Sequence, residues 1–122
     1  MTPAAKSGGD ERQLLLAAAL AAFNARDIDA ALALMDPQID WQDGVEAGRP
    51  QGHAGLRDYW TRQWQRLDPR VEPTCFSPRE DGSMAVTVQQ VVRDRSGTTL
   101  REEQLSCVYT FRDGLIASIS IA

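Results

Sequence analysis

The sequence predicts an α+β protein, with helices in the first part of the chain and hairpin-linked strands in the second. Residues 11–67 carry apolar side chains at helical spacing, whereas the chain from Val71 onward is rich in β-branched residues and turn signals. This order is typical of helices packed on one face of an antiparallel sheet. A chain of 122 residues has room for one domain with one core, which we assign to residues 10–122 after a flexible lead of residues 1–9.

Three helices are predicted in the first part of the chain. The first runs from about Glu11 to Ala25, and Asp10 is expected to cap it. Asp27 is expected to cap the second, which ends at Asp36-Pro37 because proline cannot continue a helix. The third, from about His53 to Leu67, carries a largely aromatic stripe at helical spacing. This stripe consists of Leu56, Tyr59, Trp60, Trp64 and Leu67.

Five strands are predicted, the first of them short. It spans Ile39 to Gln42 and is followed by a loop from Asp43 to Gly52 that is rich in glycine. The other four follow the third helix, and Asp113-Gly114 before the last of them is a strong hairpin signal. These four are Val71–Phe76, Met84–Arg93, Leu100–Arg112 and Leu115–Ile121.

Charge and composition exclude several classes of protein. The formal net charge of −4 argues against a nucleic-acid surface, which needs clustered Lys and Arg. The longest apolar run, Leu14 to Phe23, is too short to span a bilayer, so no membrane is expected. Cys75 and Cys107 lack metal-ligand spacing and are expected to be reduced core thiols in a cytoplasmic protein. Without a glycine-rich phosphate loop or a ligand cluster, the sequence predicts no cofactor and no metal site.

Three motifs, in this order and at this spacing, carry a resemblance to a known superfamily. They are the break between the first two helices at Phe23–Asp29, the start of the third helix at Gly52–Trp60, and the terminal hairpin at Tyr109–Ile116. With them, residues 10–122 resemble the nuclear transport factor 2-like superfamily, in its SnoaL-like and ketosteroid isomerase-like branch. The resemblance implies a cystatin-like cone, in which a curved antiparallel sheet wraps around three helices and leaves a pocket at its open end. It also implies a homodimer.

The resemblance points to one candidate catalytic residue. Asp43 falls where the ketosteroid isomerases carry their general base, and a carboxylate in a dry apolar pocket suits proton transfer. By the same alignment, the two oxyanion donors fall near Ala19 and Cys107, and neither side chain is a good donor. Steroid isomerase activity is therefore not expected. The alternative is that Asp43 is a solvated loop residue whose side chain caps the turn at Gly44.

Six residues are candidates for the ligand pocket. The tryptophans are expected on its wall, Trp60 above all by resemblance, and alternate residues of the strand Leu100–Arg112 are expected to face the same space. The alternative is that these side chains only fill the core between helix and sheet. The six candidates are Trp41, Trp60, Trp64, Cys107, Tyr109 and Phe111.

Other polar residues have less defined roles. His53, the only histidine, lies at the start of the third helix and is expected to be structural or exposed. Only one of Gln89 and Gln90 can face inward, because side chains alternate along a strand. Arg101 and the acidic residues after it are expected at a sheet edge or a dimer rim.

Three functions are open at this point. The first is a pocket that binds a small, mostly apolar or aromatic molecule, with catalysis unproven. The second is a cofactor-free isomerase or cyclase-like enzyme with Asp43 as the general base. The third is a non-catalytic dimeric module, structural or partner-binding, whose cone is filled by its own tryptophans. A cavity below about 300 Å³ would favour the third function.

Overall fold

The fold consists of three helices and a five-stranded sheet. The structure, a computed structural model, describes residues 7–122, with side chains from residue 11 onward. It confirms the predicted α+β class, and no helix within residues 7–122 is long and apolar enough to cross a membrane. The helices are α1 (Ser7–Asn24), α2 (Ile28–Ala33) and α3 (Gly52–Arg66). The strands are β1 (Met35–Trp41), β2 (Leu67–Pro78), β3 (Met84–Asp94), β4 (Thr99–Arg112) and β5 (Leu115–Ile121).

The first helix begins earlier than predicted. α1 starts at Ser7 and includes Asp10, so the predicted N-cap role of Asp10 is wrong. The remainder of the predicted lead, residues 1–6, lies outside the described residues. Asp27 caps α2 as predicted, since its carboxylate accepts a hydrogen bond from the Ala30 N–H at 3.1 Å.

Strands in the sheet follow the order β1-β5-β4-β3-β2. The pairs among β2, β3, β4 and β5 are antiparallel, as predicted. β1 differs from the prediction, because it joins the edge of the sheet parallel to β5, with Trp41 beside Ile119. A parallel pair requires a long connection, and here α3 and three strands separate the two members in the chain.

Both edge strands contain prolines and are longer than predicted, because the prediction ended the preceding helices at two of these prolines. Pro37 lies within β1, where the sequence predicts the end of a helix, and Pro69 and Pro73 lie within β2. Proline cannot donate a hydrogen bond to a neighbouring strand, so sheets accept it mainly at their edges. Because β1 and β2 are the two edges, they continue through these residues to lengths of 7 and 12 residues.

Bulges curve the sheet around the helices. The pairing register shifts once in each antiparallel pair, and the extra residues are Thr74 of β2, Leu100 of β4 and Ala117 of β5. An extra residue at such a point bends the strand and increases its twist. The Asp113-Gly114 turn has φ values of 54° and 79°, the backbone geometry that closes a tight hairpin. The inner face of the sheet packs on α1 and α3, which gives the predicted cone.

An aromatic cluster joins the two long helices to β1. Trp60 of α3 is 0% exposed and stacks on Trp64, with ring centroids 5.3 Å apart. Phe23 of α1 meets both tryptophans edge-on, and Trp41 of β1 meets Trp60 edge-on at 5.3 Å. Such pairs contribute about 0.5–1.5 kcal/mol each beyond the area that they bury. The cluster therefore fixes α3 between α1 and the sheet.

Asn24 joins the end of α1 to β2. Its Nδ2 donates to the Val71 carbonyl at 2.8 Å, and its Oδ1 accepts a hydrogen bond from the Val71 N–H at 3.0 Å. These two bonds take the place of ladder bonds on the outer side of the edge strand β2.

We expect Asn24→Ala to lower the free energy of unfolding by about 1–3 kcal/mol, because it leaves the buried Val71 amide and carbonyl without these partners. Urea unfolding followed by tryptophan fluorescence measures this change. Gln65→Ala, at an exposed position of α3, is the control and should change stability by less than about 0.5 kcal/mol. An Asn24→Ala protein as stable as this control would contradict the structural role of Asn24.

Candidate functional site

A narrow apolar cavity lies inside the cone, between the end of α1, β1 and the inner face of the sheet. Its volume is about 40 Å³. That is room for a few water molecules, well below the roughly 300 Å³ of a typical small-molecule pocket. Aliphatic and aromatic side chains from several elements form most of the lining. They include Leu20 and Phe23 of α1, Val88 of β3 and Ile119 of β5.

Three of the six predicted pocket residues line this cavity: Trp41, Cys107 and Tyr109. Trp60 and Trp64 do not, contrary to expectation, because they face each other and Phe23 in the aromatic cluster behind the lining. The tryptophans of α3 therefore form the core that supports the cavity rather than its surface.

Phe111 also lies away from the cavity. Phe111 keeps the same face of β4 as Tyr109, because the extra residue at the nearby register shift is Ala117 of β5 and alternation along β4 continues. It lies two residues further along β4, beyond the cavity lining. Phe111 instead lines a surface cleft with Leu15 and Gly114, next to the β4–β5 turn.

Two polar side chains of β4 belong to the mostly apolar lining of the cavity, in addition to Gln42, Asp43 and Gln90. These two are Tyr109 and Cys107, which are each 3% exposed. Within the described residues, the Tyr109 hydroxyl makes no hydrogen bond. It is not among the fully buried unpaired side-chain atoms, which are Trp60 Nε1, Trp64 Nε1 and Gln63 Oε1, so it borders the open space of the cavity. Burial raises the pKa of the Cys107 thiol to about 11 and also raises the pKa of Tyr109, so both groups are neutral at pH 7. The cavity thus offers a hydroxyl and a thiol as uncharged donors.

Asp43 is buried, with an exposure of 4%, and its carboxylate is fully engaged. It accepts four hydrogen bonds, two from its own loop and two from α3. The donors are the N–H groups of Val45 (3.2 Å) and Glu46 (2.9 Å), the Tyr59 hydroxyl (2.7 Å) and the Gln63 amide Nε2 (2.9 Å). The side chain caps its loop, as the alternative to catalysis predicts, although it is buried rather than solvated. A role as general base would require the release of at least one of these donors.

The loop that follows Asp43 packs tightly against α3. An added Cβ on Gly48 would lie 2.5 Å from the Tyr59 ring and hydroxyl, so only glycine fits there. Burial, followed by the hydrogen bond to Asp43, raises the pKa of Tyr59. Arg66 of α3 pairs with Glu46 at 2.8 Å, and its hydrogen bond lowers the pKa of that carboxyl. The loop and the helix therefore form one hydrogen-bonded unit.

Two buried glutamines belong to the site, and the sequence identified neither role. Gln63 lies three residues after Trp60 and seven after Leu56, which places it on the apolar stripe of α3. This position was the one sign in the sequence that the Gln63 side chain is buried. Gln90, rather than Gln89, faces inward, and its Nε2 donates to the Gly44 carbonyl at 3.1 Å.

Arg101 does not lie at a sheet edge, so that part of the expectation is wrong, whereas a position at a dimer rim stays a prediction. β4 is an interior strand of the sheet, between β3 and β5. From there, Arg101 reaches across the loop, and its Nη2 donates to the Val45 carbonyl at 2.6 Å. Its Nε pairs with Glu103 at 2.7 Å. The sequence holds no signal for a contact between residues 56 positions apart.

His53 lies away from the cavity lining and joins α3 to β1. Its Nε2 lies 2.9 Å from the Met35 carbonyl, in keeping with the structural role expected from the sequence. In residues 7–122, no three or more His, Cys, Asp or Glu side chains converge as ligands of a metal ion would.

The cone and its enclosed cavity define a class of small α+β domains in which a curved sheet wraps around helices. Within that class, residues 16–119 match the SnoaL-like domain family. The match spans most of the chain, so the protein belongs to this family, and the resemblance read from its motifs is confirmed. None of the curated proteins matches the chain significantly.

Solved structures share the fold over nearly the whole chain. TerC, co-crystallized with polyporic acid, is 25% identical, with 92% of this chain and 90% of TerC covered and a TM-score of 0.76. The epoxide hydrolase/cyclase-like enzyme SalBIII, which has a role in pyran ring formation in polyether salinomycin, is 23% identical, with 93% and 90% covered and a TM-score of 0.77. A Mycobacterium tuberculosis protein in complex with estradiol-17beta-hemisuccinate is 15% identical, with 91% and 92% covered and a TM-score of 0.77. At these identities the last two show the fold alone.

We expect Asp43→Asn to destabilise the protein by about 2–4 kcal/mol. An amide replaces one acceptor oxygen with a donor, so at least one of the four hydrogen bonds becomes a contact between two donors. The control is Asp40→Asn, which removes only a partly exposed ion pair with Arg49 and should cost less than about 1 kcal/mol. Urea unfolding of both variants measures the difference. Equal stabilities would contradict the role of Asp43 in holding its loop and α3 together.

Stability should fall as pH rises above about 8.5, because the folded state retains protons that the unfolded chain releases. Folding raises the pKa values of Cys107, Tyr59 and Tyr109, so their contribution is complete below the ordinary pKa values and declines above them. The decline begins near the ordinary pKa of cysteine and steepens near pH 10, with each fully buried group contributing up to about 1.4 kcal/mol per pH unit. Urea unfolding between pH 8 and 11 measures the slope, which Tyr109→Phe should reduce above pH 10. A flat profile would exclude burial of these groups.

Proposed function

We propose that this protein binds one small, mostly apolar molecule in the cone cavity, with the Tyr109 hydroxyl donating a hydrogen bond to an oxygen of that molecule. The observation that carries the proposal is this hydroxyl, which belongs to a buried residue of the cavity lining and makes no hydrogen bond in the described part of the chain.

An unpaired buried hydroxyl is unfavourable for folding. Placing one in an apolar environment costs about 1–3 kcal/mol, whereas phenylalanine would fill almost the same space without this cost. A ligand that offers an acceptor oxygen would satisfy the hydroxyl and bury its own apolar surface against Trp41 and Ile119. A carbonyl-bearing, ring-containing molecule has this combination of properties. TerC, the similar protein co-crystallized with polyporic acid, supports the proposal that a small molecule occupies the cone.

The cavity volume of about 40 Å³ sets a condition on this proposal. A ring system needs several times that space, so binding requires the cavity to widen. The same small volume favours a second candidate function, a structural or partner-binding module whose cone is filled by its own side chains. The two functions differ in one property, because only the first gives a saturable site for a small apolar probe.

Catalysis by Asp43 remains a prediction. Its carboxylate could act as a proton-transfer base of a cofactor-free isomerase or cyclase only after a donor such as Tyr59 or Gln63 has left it. Binding by Tyr109 needs no such rearrangement of the carboxylate, and for this reason we place binding before catalysis. The homodimer and the cytoplasmic location likewise remain predictions.

We expect Tyr109→Phe to weaken binding of an acceptor-bearing probe while leaving the fold intact. A matched pair of probes is 1-acetonaphthone and 1-ethylnaphthalene, which differ by a carbonyl oxygen. Affinity for the first should fall about 2- to 10-fold and affinity for the second should stay unchanged, because only one hydrogen bond is lost. Quenching of tryptophan fluorescence, to which Trp41 in the lining contributes, measures both affinities.

The stability of the same variant provides an independent readout. The urea concentration at the midpoint of unfolding should be the same for Tyr109→Phe as for the wild type, or higher, because the variant removes an unpaired hydroxyl. The control Tyr59→Phe removes a hydrogen bond to a buried carboxylate and should lose about 1.5–3 kcal/mol. If neither probe binds the wild type saturably, the binding function is wrong and the filled module is favoured. An equal loss for both probes would contradict the hydrogen bond from Tyr109.

A further inference from the structure

The 43–48 loop (Asp43–Gly48) separates the cavity from an open cleft on the outside of the protein. Gly44 and Val45 line both spaces, as do Gln42, Asp43, Leu105 and Ile121. The outer cleft has a volume of about 560 Å³ and includes Arg101 and Glu103. A space large enough for a small ligand therefore adjoins the cavity, and the loop forms part of the boundary between them.

The two attachments of the 43–48 loop differ in strength. On the helix side, the buried Asp43 carboxylate binds Tyr59 and Gln63, and hydrogen bonds to a buried charge are strong. On the sheet side, the polar attachment consists of two side chains that donate to backbone carbonyls: Gln90 to Gly44, and Arg101 to Val45, with a longer contact of 3.5 Å from Arg101 to Gly44. We call these sheet-side hydrogen bonds the latch. The latch is the weaker attachment, because the Arg101 side chain is 43% exposed.

Opening the latch leaves no buried charge without a partner. Arg101 would keep its ion pair with Glu103 at 2.7 Å, and Gln90 would keep its hydrogen bond to the same carboxylate at 3.2 Å. The released carbonyls of Gly44 and Val45 border the outer cleft, where water can reach them. The helix side has no such replacement partners for Asp43, so it remains in place.

The closed position of the loop explains why the cavity is small. A Cβ on Gly44 would lie 2.9 Å from Leu105 Cδ1 and 3.5 Å from Ile121 Cδ1, so the loop backbone sits directly on these side chains of the sheet. Ala47 near its other end has φ of 66°, a sparsely populated conformation that the contacts on the helix side maintain. Movement of Gly44 and Val45 away from the sheet would join the cavity to the outer cleft.

We propose that the 43–48 loop is a lid over the ligand site, hinged on α3 through Asp43 and closed by the latch from Gln90 and Arg101. The lid rests on the proposed binding function, since it gives the small cavity its route of access and the volume that a ligand needs. Arg101 then controls the rate of access rather than the affinity, because it touches the lid and not the cavity lining.

Cys107 allows the lid to be tested without any ligand. The thiol lies in the cavity lining and Cys107 is 3% exposed, so opening of the lid or of the whole protein should speed the access of a small reagent to it. In a Cys75→Ser background, which removes the exposed cysteine, Arg101→Ala should speed modification of Cys107 by methyl methanethiosulfonate at pH 8.5 about 3- to 10-fold. This is the factor expected for the loss of one partly exposed hydrogen bond from a charged donor.

Matched variants separate lid opening from general loosening. Arg70→Ala removes another exposed Arg–Glu pair, on β2 and away from the lid, and should leave the rate of Cys107 modification unchanged. Arg101→Lys retains a cationic donor and should restore a rate near that of the wild type. The rate in Arg101→Ala should stay constant in low urea, because a local opening exposes little surface. Equal rates for Arg101→Ala and wild type, or equal acceleration by Arg70→Ala, would overturn the lid.

Binding kinetics then separate the lid from the proposed function. Stopped-flow fluorescence with 1-acetonaphthone should show association and dissociation both accelerated about 3- to 10-fold in Arg101→Ala, with little change in affinity. Saturable binding with identical rates in wild type and variant would overturn the lid and leave the binding function in place. Faster Cys107 modification in a protein that binds no probe would support the lid and contradict the binding function.

Discussion

The buried carboxylate of Asp43 is the constraint on which the arrangement of the site depends. A charge taken out of water is tolerated only when hydrogen-bond donors surround it, and this one is surrounded by four. Two donors come from α3, so the helix must present Tyr59 and Gln63 to the loop. Two come from the backbone after Asp43, so the loop must fold back on its own first residue. Loop, helix and cavity wall are consequently positioned by one group.

The same requirement separates the two faces of α3. Tyr59 and Gln63 face the loop, so Trp60 and Trp64 are turned towards Phe23 of α1, where they complete the aromatic cluster. The helix cannot also contribute its tryptophans to the cavity surface. The cavity is therefore lined largely by strands and by the loop after β1, and β4 directs the polar groups of Cys107 and Tyr109 into it.

Periodicity in the sequence is sufficient to predict the fold, because apolar spacing and turn residues are local properties. β3 and β5 were predicted almost to the residue on this basis. The lengths of β1 and β2 could not be predicted, since proline is read as an end of structure unless the strand is known to lie at an edge. The site was predicted only in part. Alternation on β4 identifies Cys107 and Tyr109, but the donors of Asp43 lie up to 20 residues away, and a sequence does not show which donors converge on an acid.

Two features of the site are difficult to explain by stability alone, and both concern the cavity. An unpaired tyrosine hydroxyl inside an apolar wall is a cost that phenylalanine would avoid, and the loop above it is fixed firmly on one side but weakly on the other. A protein that needed only a filled cone would gain from an apolar residue at position 109 and from a second firm attachment of the loop. A protein that must admit a molecule needs the opposite: a donor that the molecule can use and a wall that can open on one side. The coincidence of both features at one cavity therefore favours binding over the filled module, despite the small volume of the closed state.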